Sequence, residues 1–259
     1  MFKGDTPLRN RMKQKLLAGK TALGVSIMIP SVQLVEMAGK LGYDWVLIDC
    51  EHGSISLETV EYMVMAAEAS NITPIIRPQK NDPELIGQYM DRGVMGIQAP
   101  HVSSAAEAQE VVNAVKYYPV GNRSLAVGTR SANYGFGISL TDYAQQANQD
   151  LLVCVQIEDK DAVDNLDSIA KVEGIDVLFI GPSDLSQSLG HPGDAGHPVV
   201  KKVMDDAFCK IIESGKLAGT AGNLEITPRR LEQGVKYYYT HLTTLLAYSS
   251  SVFLGNAKE

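Results

Sequence analysis

The chain has 259 residues, of which 45% are hydrophobic and 20% are charged. This is the composition of an ordinary globular protein, and the length suits one large α/β barrel better than two domains. The net charge of −7, with no basic run, argues against nucleic acid and anionic membranes as partners.

The compartment is predicted from the start of the chain and from the cysteines. The first residues, MFKGDTPLRNRMKQKLL, lack the apolar stretch of a signal peptide, and no segment approaches the length of a membrane span. Cys50, Cys154 and Cys209 are odd in number, far apart and without a CxxC spacing. Such cysteines are typical of reduced thiols, so we expect a cytoplasmic protein.

Eight short apolar runs recur along the chain, and most of them are separated by a stretch with helical apolar spacing. Strand and helix alternating eight times in about 250 residues is the pattern of a (β/α)₈ TIM barrel. We therefore predict one α/β domain over residues 1–259. The predicted strands are residues 23–28, 45–48, 73–77, 95–99, 151–157, 177–180, 217–220 and 235–239.

Two segments depart from the regular alternation. Residues 119–137 read PVGNRSLAVGTRSANYGFG, and a loop of this length in a compact domain is usually functional or part of an interface. Residues 241–254 are either the last barrel helix or an extension that packs on a neighbouring subunit. The many apolar residues between 242 and 254 favour the second interpretation, a homo-oligomer.

Two acids follow neighbouring apolar runs in the second half of the chain. Glu158 closes the run LLVCVQI directly, and Asp184 follows the run VLFI by four residues. Strands of a parallel barrel bring such residues to one face, where two carboxylates form half of an oxygen-ligand metal site. Mg²⁺ or Mn²⁺ suits these donors, with Co²⁺ as a further candidate. The alternative is helix capping, by Asp159 or Asp161 after the first run and by Ser183 or Asp184 after the second.

A second group of polar residues follows the predicted second strand in the stretch DWVLIDCEHGS. Asp49, Glu51 and His52 lie there together, and a histidine beside a carboxylate can act as a base near neutral pH. The alternative is a solvated loop histidine. His101, after the fourth strand, is a weaker candidate because no acid accompanies it in the sequence.

Arg77 ends the third apolar run, and we expect its guanidinium to point into the barrel mouth and neutralise an oxyanion or a carboxylate. The alternative is a structural ion pair with Glu51 or Asp49.

No apolar run has an interior lysine, so a Schiff-base aldolase lacks support. Redox-cofactor and serine-hydrolase motifs are also absent from the sequence.

Several stretches together resemble the HpcH/HpaI family of class II, metal-dependent pyruvate aldolases, of the 2-dehydro-3-deoxyglucarate and 4-hydroxy-2-oxoheptanedioate aldolase type. These stretches are GYDWVLIDCEHGS, IIRPQKNDPELIGQYMDRGVMGIQAPHV, YYPVGNRS, VQIEDKDAVDNLDSIAKVEGIDVLFIGPSDLSQSLG and DAGHP. The similarity extends from about residue 24 to residue 222. It implies a TIM barrel of the phosphoenolpyruvate/pyruvate type that assembles as a hexamer, a trimer of dimers with exchanged C-terminal helices.

The resemblance also implies roles for individual residues. Glu158 and Asp184 match the family's metal ligands. His52 matches the acid/base, which acts through a water molecule, and Asp49 matches the residue that orients it.

Three further roles concern the substrate. Arg77 matches the residue that stabilises the pyruvate enolate, and Gln156 matches a contact to the water or the substrate. The backbone amides around Ser183 and Asp184 match the site of the pyruvate carboxylate. These roles imply a carbon–carbon lyase that cleaves a 4-hydroxy-2-oxo acid into pyruvate and an aldehyde.

The sequence departs from the family pattern at four places. Gly53-Ser54-Ile55 stands where Pro-Asn-Asp is common, Ser26 replaces a frequent aromatic, and Cys50 replaces a usual glycine. The last strand reads YYYTHLTTLL rather than VAVGxDxxLL. These changes leave the predicted metal ligands intact, and the distal substrate pocket and the aldehyde specificity are the properties that they call into question.

Two other functions remain as alternatives. One is a related lyase that acts on an acyl-CoA or dicarboxylic substrate, although no cluster of basic residues near the barrel mouth is evident for a nucleotide. The other is a non-catalytic binding module, which the set of charged residues in apolar surroundings disfavours.

Overall fold

The computed structural model describes residues 10–256, in which eight parallel strands close into a barrel. Every strand pairs with the next along the chain, and the last pairs with the first. The predicted TIM barrel is confirmed. The strands are β1 (Ala22–Ile27), β2 (Trp45–Asp49), β3 (Thr73–Arg77), β4 (Gly96–Ala99), β5 (Leu152–Ile157), β6 (Val177–Ile180), β7 (Leu217–Ala221) and β8 (Tyr237–His241).

Seven of the predicted strands coincide with observed strands to within one residue at each end, and the eighth is displaced. Residues 235–239 were predicted, but β8 is Tyr237–His241. Val235 is fully buried, yet its N–H donates to the carbonyl of Arg230 and so closes the preceding helix. The displacement makes His241 the last residue of the strand rather than the first of the final helix.

The helices surround the barrel, and several begin at a serine or aspartate whose side chain accepts a hydrogen bond from the third helical N–H, as at Ser56 and Asp82. A 3₁₀ helix covers Arg130–Gly135. The α-helices are α1 (Arg11–Leu17), α2 (Val32–Lys40), α3 (Leu57–Ala69), α4 (Pro83–Asp91), α5 (Ala105–Val115), α6 (Leu140–Asp150), α7 (Lys160–Asp164), α8 (Leu166–Ala170), α9 (Pro182–Ser188), α10 (Pro198–Glu213), α11 (Thr227–Glu232) and α12 (Leu242–Asn256).

Large aromatic side chains fill the interior of the barrel. The rings of Trp45 and Tyr237 lie 4.1 Å apart, and those of Phe179 and Tyr239 stack at 5.4 Å. Gly24 faces the same space, and a Cβ at that position would overlap the indole of Trp45. The interior is therefore a packed core that closes the barrel below its mouth.

The long loop lies away from the C-terminal ends of the strands. The guanidinium of Arg130 pairs with Glu68 of α3, and its Nη1 donates to Glu68 Oε1 at 2.8 Å. A cavity of about 370 Å³ beneath the loop is lined by Met95 and Leu151, which immediately precede β4 and β5. The predicted functional or interface role of residues 119–137 stays a prediction.

The two ends of the chain differ in what the structure describes. Residues 1–9, which hold most of the stretch examined for a signal peptide, lie outside the described residues. At the other end, α12 has no buried residue, and Phe253 is 72% exposed. Over the described range, no helix has the length and apolar character needed to cross a membrane.

Candidate active site

The C-terminal ends of the strands surround a cavity of about 580 Å³. Asp49 is buried at the end of β2, just below this cavity, where it pairs with one of the lining residues. The structure therefore brings all the predicted site residues together. Those that line the cavity are His52, Arg77, Gln156, Glu158, Ser183 and Asp184.

Arg77 is held in place by two acids. Its Nε and Nη2 donate to the two carboxylate oxygens of Asp49 at 3.0 and 2.5 Å, and its Nη1 lies 3.2 Å from Glu51 Oε2. Burial alone would lower the pKa of Arg77, but the hydrogen bond and charge of Asp49 outweigh it and raise that pKa. The ion pair considered as the alternative role is thus present, and the same side chain also lines the cavity.

Asp49 also fixes the loop that carries His52. Its Oδ1 accepts hydrogen bonds from the backbone N–H groups of Glu51 and His52 at 3.1 and 3.3 Å. Asp49 therefore positions His52 through the backbone, whereas the resemblance implies a carboxylate that orients the histidine. The acid near the ring is Glu51, whose Oε2 lies 3.8 Å from Nε2 of an imidazole that is 56% exposed.

Gly53 makes this turn possible. A Cβ at Gly53 would collide with the carbonyl oxygens of Asp49 and Met28. The departure from the family pattern at Gly53 therefore has a local structural reason.

His101 is accompanied by two acids, so the expectation that it has none is wrong. Its Nε2 lies 2.9 Å from Glu51 Oε1, and its Nδ1 lies 3.1 Å from Glu158 Oε1. Its backbone N–H also donates to Glu158 Oε1 at 2.7 Å, and its φ of 51° is unusual for a residue other than glycine. The imidazole thus bridges the carboxylates that follow β2 and β5.

Glu158 is only 2% exposed and is oriented by a chain of amides. Gln156 donates to Glu158 Oε2 at 2.5 Å, Gln98 donates to Gln156 at 2.6 Å, and the Tyr237 hydroxyl donates to Gln98 at 3.1 Å. Burial raises the pKa of Glu158, and the negative charge of Asp184 adds to this effect. Gln156 therefore acts on Glu158 directly, in addition to lining the cavity.

The helix-capping alternative is confirmed for Asp159 and wrong for Ser183 and Asp184. Asp159, rather than Glu158, caps α7, and α9 begins after Gly181 without a side-chain cap. A Cβ at Gly181 would lie 2.5 Å from Glu158 Oε2, so glycine is needed for the carboxylate to occupy this place.

The two acids fit a divalent cation as a pair of oxygen donors. Within residues 10–256, no group of three or more His, Cys, Asp or Glu side chains is arranged to hold a metal ion. A hard cation such as Mg²⁺ is commonly bound by one or two carboxylates, with water and substrate completing its shell. Because burial and Asp184 both disfavour the charge on Glu158, a cation between the two acids would stabilise the site.

Sequence reasoning gave too little weight to Glu51, His101 and Gln98. Each lies at or just after the end of a strand, which is a usable signal in a parallel barrel. The contacts of His101 with Glu51 and Glu158, and of Gln98 with Gln156 and Tyr237, join residues about 50 or more positions apart. Nothing in the local sequence indicates these partners.

A closed (β/α)₈ barrel with a carboxylate pair, an arginine and histidines at the C-terminal ends of its strands has the arrangement of a TIM-barrel enzyme. Residues 27–237 match the family described as HpcH/HpaI aldolase/citrate lyase. The chain belongs to this family, and the family and the aldolase class predicted from the sequence are confirmed.

Two curated relatives and one solved structure illustrate the similarity. The chain is 39% identical to a 2-keto-3-deoxy-L-rhamnonate aldolase of Klebsiella pneumoniae over 82% of this chain and 79% of that protein. It is also 39% identical to a pyruvate aldolase of Rhizobium etli, over 81% of this chain and 82% of that protein. A crystal structure of an HpcH/HpaI aldolase/citrate lyase family protein from Burkholderia cenocepacia superposes with a TM-score of 0.91 at 27% identity, covering 96% of this chain and all of that one.

Proposed function

We propose that this chain is a divalent-metal-dependent aldolase that cleaves a 4-hydroxy-2-oxo acid into pyruvate and an aldehyde. The observation that carries the proposal is the cavity shared by Glu158, Asp184, Arg77 and His52 at the C-terminal ends of the strands. It combines two oxygen donors for a cation, a fixed positive charge and an accessible base. Metal-dependent retro-aldol cleavage uses all three, because the cation and the positive charge stabilise the enolate and the base takes the hydroxyl proton.

Glu158 and Asp184 would hold the cation, Mg²⁺, Mn²⁺ or Co²⁺, beside the 2-oxo acid. When bound, such an ion supplies Lewis acidity for the negative charge that develops on the keto oxygen. The backbone N–H groups of Ser183 and Asp184 lie in the first turn of α9, where no side chain caps the helix. Uncapped N–H groups at this place suit the carboxylate of the 2-oxo acid.

His52 is the proposed base. It removes the proton of the 4-hydroxyl group through a water molecule, the C3–C4 bond breaks, and the electron pair of that bond forms the pyruvate enolate. Arg77 stabilises the charge of the enolate, and its bidentate bond with Asp49 keeps the guanidinium oriented before the reaction begins. His52 is preferred to His101 because both ring nitrogens of His101 already face carboxylates.

The direct test is a screen for pyruvate release from a panel of 4-hydroxy-2-oxo acids, with and without added Mg²⁺ or Mn²⁺. We expect turnover with at least one substrate and its loss in EDTA. An acyl-CoA and a dicarboxylic hydroxy acid belong in the same panel, because turnover of those compounds alone would favour the related lyase. Turnover that is insensitive to EDTA would contradict the proposed metal dependence.

We also propose that the protein forms a homo-oligomer, a hexamer built as a trimer of dimers, through its C-terminal helix. Support comes from α12, which has no buried residue and exposes Leu246, Val252, Phe253 and Leu254. Large exposed apolar patches usually mark partner surfaces.

The cytoplasm is the compartment that we propose for this enzyme. Cys50, Cys154 and Cys209 are all free thiols in the structure, which suits a reducing environment.

A further inference from the structure

The first helix closes the floor of the barrel, which is the end opposite the cavity. The backbone N–H of Met12 donates to the side chain of Thr73, the first residue of β3, so α1 lies at the N-terminal ends of the strands. Met12 and Leu16 are almost fully buried and belong to the same interior cluster as Trp45 and Tyr237. The helix therefore covers apolar side chains that would otherwise meet water.

Two lysines meet beside this helix, one within α1 and the other directly after α5. The side-chain nitrogen of Lys13 donates to the Leu151 carbonyl at 2.9 Å and lies 2.9 Å from Asp176 Oδ1. The side-chain nitrogen of Lys116 donates to the same Leu151 carbonyl at 2.5 Å and to the Asn148 carbonyl at 2.9 Å. Because both nitrogens contact one oxygen atom, the two amines are close neighbours.

The hydrogen bonds indicate that only one of these lysines is charged. A protonated lysine has three donors and no acceptor, whereas a neutral amine has two donors and one lone pair. Lys13 keeps its charge because Asp176 pairs with it, so in its hydrogen bond with Lys116 it is the donor. Lys116 donates to two carbonyls and accepts from Lys13, which is the full capacity of a neutral amine.

The surroundings of Lys116 also favour the neutral amine. Burial, together with the positive charge of Lys13, lowers the pKa of Lys116 to about 7. The charges of Asp176, before β6, and Asp150, at the end of α6, offset only part of this effect. When α1 leaves the floor, the charge of Lys13 leaves with it, and the pKa of Lys116 returns toward its ordinary value of 10.5.

We infer that Lys13 and Lys116 form a proton-controlled clasp, in which α1 docks more tightly on the floor of the barrel once Lys116 has released its proton to solvent. Between pH 7 and pH 10.5 the form with α1 released binds more protons than the docked form, so docking strengthens as the pH rises. Below pH 7 Lys116 is protonated in both forms, and its contribution to docking no longer changes. The clasp lies at the end of the barrel opposite the proposed reaction and does not depend on it.

Hydrogen exchange of the full-length protein, followed by mass spectrometry, measures how often α1 opens. After correction for the intrinsic effect of pH on exchange, we expect the opening equilibrium of α1 to fall about 5-fold between pH 7 and pH 8. The helix α10, which contains no residue of the clasp, should show no such fall.

Two variants test the clasp, and a third is the control. Lys116→Met has no proton to lose and should abolish the dependence of α1 opening on pH. Lys13→Met removes the neighbouring charge and should move the fall to higher pH. Lys216→Met is the matched control, because Lys216 also donates to two backbone carbonyls, those of Val172 and Ile175, but is not part of the clasp. It should keep the wild-type dependence.

The wild type alone can overturn the inference, whether or not the variants fold. An opening equilibrium of α1 that is the same at pH 7 and pH 8 would do so. An equal fall in α10 would do so as well, because the proton would then be coupled to unfolding of the whole barrel. A folded Lys116→Met that keeps the wild-type dependence would assign the proton to another group and would also contradict the clasp.

Discussion

The two walls of the barrel mouth differ in how their polar groups are paired. On the wall formed by the ends of β2 to β6, Asp49, Arg77, Glu51, His101 and Glu158 form one continuous set of contacts. On the wall formed by β8 and β1, polar atoms of two facing residues have no partner among the described residues. The first wall is organised before substrate arrives, as electrostatic catalysis requires. The second has unpaired polar atoms next to the cavity that His241 lines.

Removal of the carboxylate pair should give the largest effect on the paired wall. Glu158→Gln and Asp184→Asn each take one negative oxygen donor from the proposed cation site. Because a cation held there would supply several kcal/mol to the transition state, we expect turnover to fall by about 10³-fold or more. Calorimetric titration with Mn²⁺ should show weaker binding in both variants.

Asp164→Asn serves as the control for these substitutions, because Asp164 is an exposed acid that pairs with Lys160 on α7. It should bind Mn²⁺ and turn over like the wild type. Unchanged Mn²⁺ affinity in both Glu158→Gln and Asp184→Asn would show that the cation site lies elsewhere.

The two histidines of the paired wall should respond differently to substitution. His52→Ala should lower turnover by about 10²–10⁴-fold, the usual contribution of a general base, without weakening Mn²⁺ binding. His101→Ala should act mainly by releasing Glu158 and Glu51, so Mn²⁺ affinity should change together with turnover. If His52→Ala turns over at nearly the wild-type rate, His52 is not the base and His101 becomes the candidate.

Arg77→Lys tests whether the geometry of the guanidinium matters beyond its charge. Lysine offers a point charge without the planar fork that Asp49 binds at two atoms. We expect turnover to fall by about 10²–10³-fold, with a lower melting temperature because Asp49 loses a bidentate partner. Full activity of the lysine variant would indicate that charge alone is sufficient.

Much of the fold and part of the site could be predicted from the sequence for definite physical reasons. Buried parallel strands are continuous apolar runs, so the polar residues that end them, such as Arg77 and Glu158, are conspicuous. Val235 was wrongly predicted to begin the last strand, because an apolar residue that closes a helix is as buried as one in a strand. The partners of His101 could not be predicted from the sequence, because they follow β2 and β5 and only the closed barrel brings them together.

Two of the four sequence departures from the family fall on the unpaired wall. Ser26 replaces a frequent aromatic, and the stretch with His241 replaces the usual end of the last strand. Cys50 belongs to the paired side and is buried, and burial raises the pKa of its thiol to about 11. The protonated thiol behaves there as a small apolar side chain. The departures Cys50 and Gly53 in the paired wall are therefore structural, whereas the departure at the end of β8 places His241 at the cavity.

The smallest expected effect on catalysis concerns α12, which lies outside both walls apart from Thr244 in its first turn, a residue that lines the cavity. Leu246→Glu combined with Phe253→Glu places charges on exposed positions of this helix, where they should disrupt contacts between subunits. Size-exclusion chromatography with light scattering should show a multiple of 28.0 kDa for the wild type and a smaller species for the double variant. Leu17→Glu is the control, because Leu17 is 72% exposed but belongs to α1 and not to α12. It should leave the assembly intact. A wild-type mass of 28.0 kDa at micromolar concentration would contradict the proposed oligomer, since the exposed face of α12 would then be solvated in a monomer.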